Sequence, residues 1–143
     1  MTRPSYRFLP DVALADVAFA ARGDSPDGLF EACAKALTEV MVDRRSVRAA
    51  SERRLEIRAE DLDGLLYDFL TNLIVLKDVD SLLFKAFEPR VSSDHKTLAC
   101  TLRGEPIDRD RHRLRNDVKA VTMHMFGVKH AGDSWTATVV LDI

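Results

Sequence analysis

Asp142 stands one residue before Ile143, so the sequence closes on a side-chain carboxylate beside a terminal one. Asp16 lies near the other end, in the apolar run Val12-Ala-Leu-Ala-Asp16-Val-Ala-Phe19. If the first and last long strands are neighbours, three acids meet. Two unit charges about 4 Å apart repel by roughly 4 kcal/mol at an effective dielectric near 20. Such a group needs a proton, a basic side chain or a cation. Oxygen donors with water suit a hard divalent ion, and flexible geometry favours Ca²⁺ over Mg²⁺. The plainer reading of the same residues is a turn aspartate at Asp16 and a solvated end residue at Asp142.

Lys119 is the second residue of chemical interest, because it interrupts the strand-like segment Asp117-Val-Lys-Ala-Val-Thr122. Either its ammonium snorkels to water, or it meets an anion beside the acids. His95, His112, His124 and His130 fall in separate segments without metal spacing and read as surface or hydrogen-bonded residues. Cys33 and Cys100 sit in apolar patterns with no third ligand, as buried reduced thiols do. No glycine-rich phosphate loop, Gly-x-Ser-x-Gly elbow or His-Glu-x-x-His pair is present. An ordinary enzyme is not indicated.

Tyr6 to Leu9 has short β character, and Val12 to Ala21 reads as a strand closed by Gly23. Ser25 as a cap, Pro26 in the first turn and Asp27 at the positive end of the dipole open a helix. Leu29, Cys33, Leu37, Val40 and Met41 give it an apolar stripe that runs to about Asp43. Arg44 to Ala59 holds one or two strands, with Leu55-Glu-Ile-Arg58 alternating. Its arginines form either a solvated strand face or a patch for a polyanion.

Glu60-Asp61 opens a second, more apolar helix that ends near Lys77-Asp78, with Leu62, Leu66, Phe69, Leu73 and Leu76 as its stripe. Strands follow at Leu82 to Val91 and Thr97 to Leu102, joined by a turn at Ser92-Ser93-Asp94. A charged connection runs from Ile107 to Arg115, then comes a β-like stretch from Asp117 to Phe126. A turn around His130 to Asp133 leads into the final strand from Trp135. The order is strand, helix, strand, helix and four strands. It predicts an α+β fold in which two helices pack on a mostly antiparallel sheet.

The totals agree with one domain spanning residues 1–143. With 46% hydrophobic and 31% charged residues the composition is that of a soluble globule. A net charge of -2 argues against bulk capture of nucleic acid, though not against a local basic patch. No leader-like segment and no membrane-length apolar run is visible, so the expected location is cytoplasmic and no membrane is expected as a partner.

Several local patterns together make the chain similar to the archease family. They are the Tyr-x-Phe opening at Tyr6, Ala15-Asp16-Val17, Gly23, Val-Met-Val-Asp43 and Glu60-Asp-Leu62 leading into Leu65-Leu-Tyr-x-Phe-Leu70. Gly104-Glu105, Val118-Lys-Ala-Val-Thr122 and Asp142-Ile143 complete the set, in order, over nearly the whole length. The resemblance implies an accessory protein that activates an RtcB-type RNA ligase. Such proteins promote guanylation and multiple turnover in tRNA splicing and RNA repair, and meet RNA only indirectly, through the ligase. It implies a divalent metal ion, taken to be calcium, held by Asp16, Asp142 and the terminal carboxylate of Ile143. It makes Lys119 the residue facing partner or nucleotide, and no residue catalytic. The family's His-Thr-Ala-Asp motif is replaced here by Ala13-Leu14-Ala15-Asp16. Loss of outer-shell support of that kind weakens metal affinity about 10- to 100-fold. Two other readings stand beside this one: a small metal-dependent phosphate-ester hydrolase, and a chaperone-like binding module.

Overall fold

The computed structural model describes residues 4–10 and 16–143. Among these residues eight strands and two helices follow in the order β1 (Ser5–Leu9), β2 (Asp16–Gly23), α1 (Pro26–Met41), β3 (Ser51–Arg58), α2 (Leu62–Asp80), β4 (Leu82–Val91), β5 (Thr97–Pro106), β6 (Ala120–Val121), β7 (Gly127–Ala131) and β8 (Ser134–Asp142). A short 3-10 turn, Arg44–Ser46, follows α1. The architecture is α+β, and every strand pairing among the described residues is antiparallel.

The strands form two sheets, where the sequence pattern suggested one. The first runs β1-β2-β8-β6, with β7 also on β8; the second runs β3-β5-β4. The helices join them. α1 packs on β2 and on β4, and α2 reaches elements of both sheets. Phe30 of α1 and Phe69 of α2 stack at 5.8 Å between ring centroids. They lie in one continuous core with Phe19, Leu37, Leu65, Leu102 and Leu141.

The helix starts follow their sequence signals. Ser25 and Asp61 have extended backbones, and their side chains accept the N–H of Gly28 and of Gly64. Each cap satisfies an amide that the helix itself leaves open. α1 stops at Met41, slightly before the expected end. α2 runs on to Asp80, because Ser81 takes the left-handed conformation and its N–H bonds the Leu76 carbonyl.

Two glycines allow close approaches. A Cβ on Gly23 would lie 2.6 Å from the Leu29 amide nitrogen, and one on Gly104 would lie 1.9 Å from the Leu83 carbonyl oxygen. The first lets β2 meet the start of α1. The second admits the irregular pairing of β4 with β5 between Phe84 and Ala86.

Three expectations about strands need correction. The β-like stretch from Asp117 to Phe126 is a strand only at Ala120–Val121. The expected turn from His130 is instead the end of β7, and the turn itself is Gly132-Asp133. The expected order had one strand before the first helix, and there are two: the short β character of Tyr6 to Leu9 is β1, paired along β2. The residues from Asp11 to Ala15, which carry part of the expected first long strand and the Ala13-Leu14 substitution, lie outside the described residues.

Candidate functional site

β2 and β8 run antiparallel with Asp16 directly opposite Asp142, and β6 places Ala120 opposite Asp142 on the other side. Directly opposed residues project from the same face of a sheet. The row Asp16–Asp142–Ala120 therefore carries two acids and one methyl group on a common face. Both aspartates are half-buried. The next row, Val17–Leu141–Val121, faces the opposite way into the core. Ile143 packs its side chain against that core as well, which holds the chain end beside Asp142.

The acids are thus brought to one place by register, and the donor set is oxygen only. Like charges directly opposed across strands destabilise a sheet unless something lies between them. That fits a hard cation held by Asp16, Asp142 and the carboxylate of Ile143. Among the described residues no three His, Cys, Asp or Glu side chains converge in metal-holding geometry. The side-chain acids that register brings together here are Asp16 and Asp142.

Lys119 joins this edge through its backbone. Its N–H donates to the Asp142 carbonyl oxygen at 2.8 Å, and the Thr122 N–H donates to Val140 at 2.9 Å. The side chain of Lys119 is exposed. Among the described residues its ammonium makes no ion pair with either aspartate.

What fixes Lys119 is a residue the sequence reading passed over. Lys77, on the last turns of α2, is only 8% exposed. Its ammonium donates to the Asp117 carboxylate at 2.5 Å and to the Val118 carbonyl at 2.8 Å, and meets Asp78 at 2.9 Å. These contacts tie down the two residues before Lys119. Lys77 holds the Asp117 carboxyl below its ordinary range, with a smaller contribution from Lys119. The only sequence signal was a lysine at the end of a helix stripe, which more often marks a solvated helix end. Tyr67 steadies the same segment by donating its hydroxyl hydrogen to the Val121 carbonyl at 3.1 Å.

A second polar knot underlies the Gly104-Glu105 pattern. Burial acts to raise the Glu105 carboxyl, yet hydrogen bonds from Arg111, His112 and the Arg48 amide outweigh it and hold it at about 2. His112 accepts the Asp108 N–H on Nδ1 at 2.9 Å, so Nε2 carries the hydrogen that points to Glu105 at 2.9 Å. The knot joins β5 to the 107–115 connection and the 3-10 turn.

The arginines between Arg44 and Arg58 do not form one free patch. Arg44 pairs with Glu39, Arg45 with Asp43 and Arg53 with Asp80. The reading of a solvated face is the one the fold favours. Both cysteines are buried and unpaired. Burial pushes the Cys33 thiol far up and the Cys100 thiol up to about 12, so neither is a ready nucleophile. No helix is long and apolar enough to cross a membrane among the described residues.

Comparison with known proteins adds to this geometry. A model of the archease protein family matches residues 6–143. The chain belongs to the archease family. An archease of Pyrococcus abyssi is 36% identical over 132 residues, covering 90% of this chain and 93% of that protein. One from Methanothermobacter thermautotrophicus is 40% identical over 131 residues, with the same coverage. The solution structure of Methanobacterium thermoautotrophicum protein 1598 superposes with a TM-score of 0.79 at 36% identity, over 96% of this chain and 98% of that one. A Thermotoga maritima archease described as a possible chaperone shares the fold, with a TM-score of 0.64 at 20% identity over 94% of this chain and 96% of its own.

Proposed function

We propose that this chain is a non-enzymatic accessory protein of an RtcB-type RNA ligase, promoting guanylation and multiple turnover of that ligase in tRNA splicing and RNA repair. The observation that carries the reading is the edge where Asp16 opposes Asp142 and the Lys119 amide bonds the Asp142 carbonyl. Two acids and an uncommitted lysine on one sheet edge suit a partner site that handles nucleotide phosphate and metal. When bound, a divalent ion, with Ca²⁺ the best match for an all-oxygen set, would supply positive charge between the acids. Asp16, Asp142 and the Ile143 carboxylate would hold it. The chain's own residues do the positioning. Lys77 locks Asp117 and Val118, the sheet fixes the Asp142 carbonyl, and Lys119 extends its ammonium to solvent and partner.

The test is transfer of labelled GMP to the cognate ligase, with and without this protein. Faster guanylation and turnover beyond one equivalent are expected. No change in either, with well-folded protein, would overturn the reading. The chaperone-like alternative rests on the Thermotoga maritima archease described as a possible chaperone and on exposed Met123 and Met125. It predicts protection of the ligase from aggregation without any gain in guanylation rate.

A further inference from the structure

The face of the first sheet that bears the two aspartates carries opposite charge at its other end. Register aligns Arg7, Ala20, Thr138 and Gly127 in one row across β1, β2, β8 and β7. The next row is Ser5, Arg22, Thr136 and Lys129. The alternate residues Tyr6, Ala21, Ala137 and Val128 pack on the core, so these two rows face away from the helices. They floor an open groove of ≈ 780 Å³, and none of the residues lining it is acidic. Arg7, Arg22 and Lys129 are exposed, and among the described residues none of the three forms an ion pair with an acid. Ala20 stands four residues along β2 from Asp16, roughly 14 Å at strand spacing. Ala18 and Val140 lie between on the same face and are 1% and 0% exposed, so the groove and the acidic pair are separate.

We propose that this groove binds the phosphodiester backbone of a single-stranded nucleic acid. Its basic groups sit on both sides of the floor, three strand spacings or about 14 Å apart from β1 to β7. That span suits successive phosphates of a chain better than the clustered phosphates of one nucleotide. The floor of alanine, glycine and threonine lets a backbone lie close to the sheet, and the Thr136 and Thr138 hydroxyls can donate to phosphate oxygens. Met125, 54% exposed, and Phe126 line one side, where bases can rest on apolar surface. With a formal net charge of -2, the attraction is local to this face. The proposal goes beyond the expectation that RNA is met only through a ligase, and it does not rest on the ligase or metal readings.

Fluorescence anisotropy of a labelled single-stranded oligouridylate, with the chain alone at low salt, tests it. Saturable binding is expected. Its logarithmic salt slope should be about -2 for three contacts, at roughly -0.7 per phosphate on single strands. The double substitution Arg7→Glu with Lys129→Glu should weaken binding at least tenfold and flatten the slope. Arg54→Glu with Arg58→Glu, on the edge of the other sheet, should leave binding unchanged. Melting curves for both variants show that each is folded. Absence of saturation by about 100 µM, the weak end of non-specific affinity, would overturn the proposal. So would equal loss in both double variants, or displacement of the RNA by polyglutamate as effective as by unlabelled RNA, which would mark the groove as a site for an acidic protein.

Discussion

Asp16 and Asp142 occupy one cross-strand pair at the end of β2 and β8, with Ala120 completing the row. A like-charge pair in that position opposes folding by a few tenths to about 1 kcal/mol. Asp142→Asn should therefore melt slightly higher than the parent in a chelator. Ca²⁺ should raise the melting temperature of the parent and not that of the variant. Thermal melts with and without Ca²⁺ decide it, and a parent protein indifferent to Ca²⁺ would remove the cation from the site.

The third proposed ligand is the carboxylate of Ile143, whose side chain is anchored on the core. Appending a few residues after Ile143 moves that carboxylate away while leaving both aspartates in register. Calorimetry should show weaker Ca²⁺ binding by the tailed protein. Unchanged affinity would leave the two aspartates without Ile143.

Lys77 predicts a structural phenotype distinct from that of Lys119. Replacing Lys77 with Met leaves the Val118 carbonyl without its donor, at a cost of about 1–3 kcal/mol. The Asp117 side chain is 80% exposed and stays hydrated. Lys77→Met should lower the melting temperature and speed hydrogen exchange at the Lys119 amide, which bonds Asp142 in the parent. Exchange there as slow as in the parent would show that the sheet alone holds this segment.

The Glu105 carboxyl sits at about 2, below its ordinary 4.5. A depressed acid contributes stability above its unfolded value, and that contribution is lost as pH falls through the folded one. The loss should appear between about 4.5 and 2. Glu105→Gln gives up charge-assisted bonds to Arg111, His112 and Arg48, about 1.5–3 kcal/mol at neutral pH, and should flatten the dependence in that window. Asp43, also held at about 2 by hydrogen bonds from Arg45, retains part of the slope in both proteins. Denaturant melts at several pH values measure it, and parallel curves for parent and variant would assign the acid sensitivity elsewhere.

The helices were legible because their signals are local: Ser25 with Pro26, Asp61, and stripes of leucine at helical spacing fix type and start without reference to distant residues. The division into two sheets was not, since strand pairing is long-range and nothing near Arg58 states that β3 must pair with β5. β7 was missed for a different reason. Gly127 to Ala131 has one clear inward apolar residue, Val128, and Lys129 to Ala131 are exposed at a sheet edge. A single apolar residue gives no readable alternation. The stretch from Asp117 to Phe126 erred the other way. Val118 and Val121 are buried, but by the clamp at Lys77 and by two residues of pairing with β8, neither of which a local pattern encodes. At the candidate site, the residues were visible and their registration was not. Asp16 and Asp142 meet through eight paired positions along β2 and β8.

Lys119 gives the sharpest test of the accessory role. Its side chain is exposed, so Lys119→Met removes a charge without opening a cavity or stranding a buried partner. The fold should persist with a melting temperature close to that of the parent, since exposed substitutions of this kind usually change stability by less than about 0.5 kcal/mol. The backbone bond from its amide to Asp142 is independent of the side chain and should survive. Guanylation of the ligase should fall, because the exposed Lys119 ammonium is the charge proposed to meet the partner. Lys119→Arg keeps the charge but spreads it over a planar fork, and should restore activity only in part. Single-turnover guanylation measured beside thermal melts separates the outcomes. Full activation by a well-folded Lys119→Met protein would make Lys119 an ordinary solvated lysine, and would move the search for the partner contact to the acids themselves.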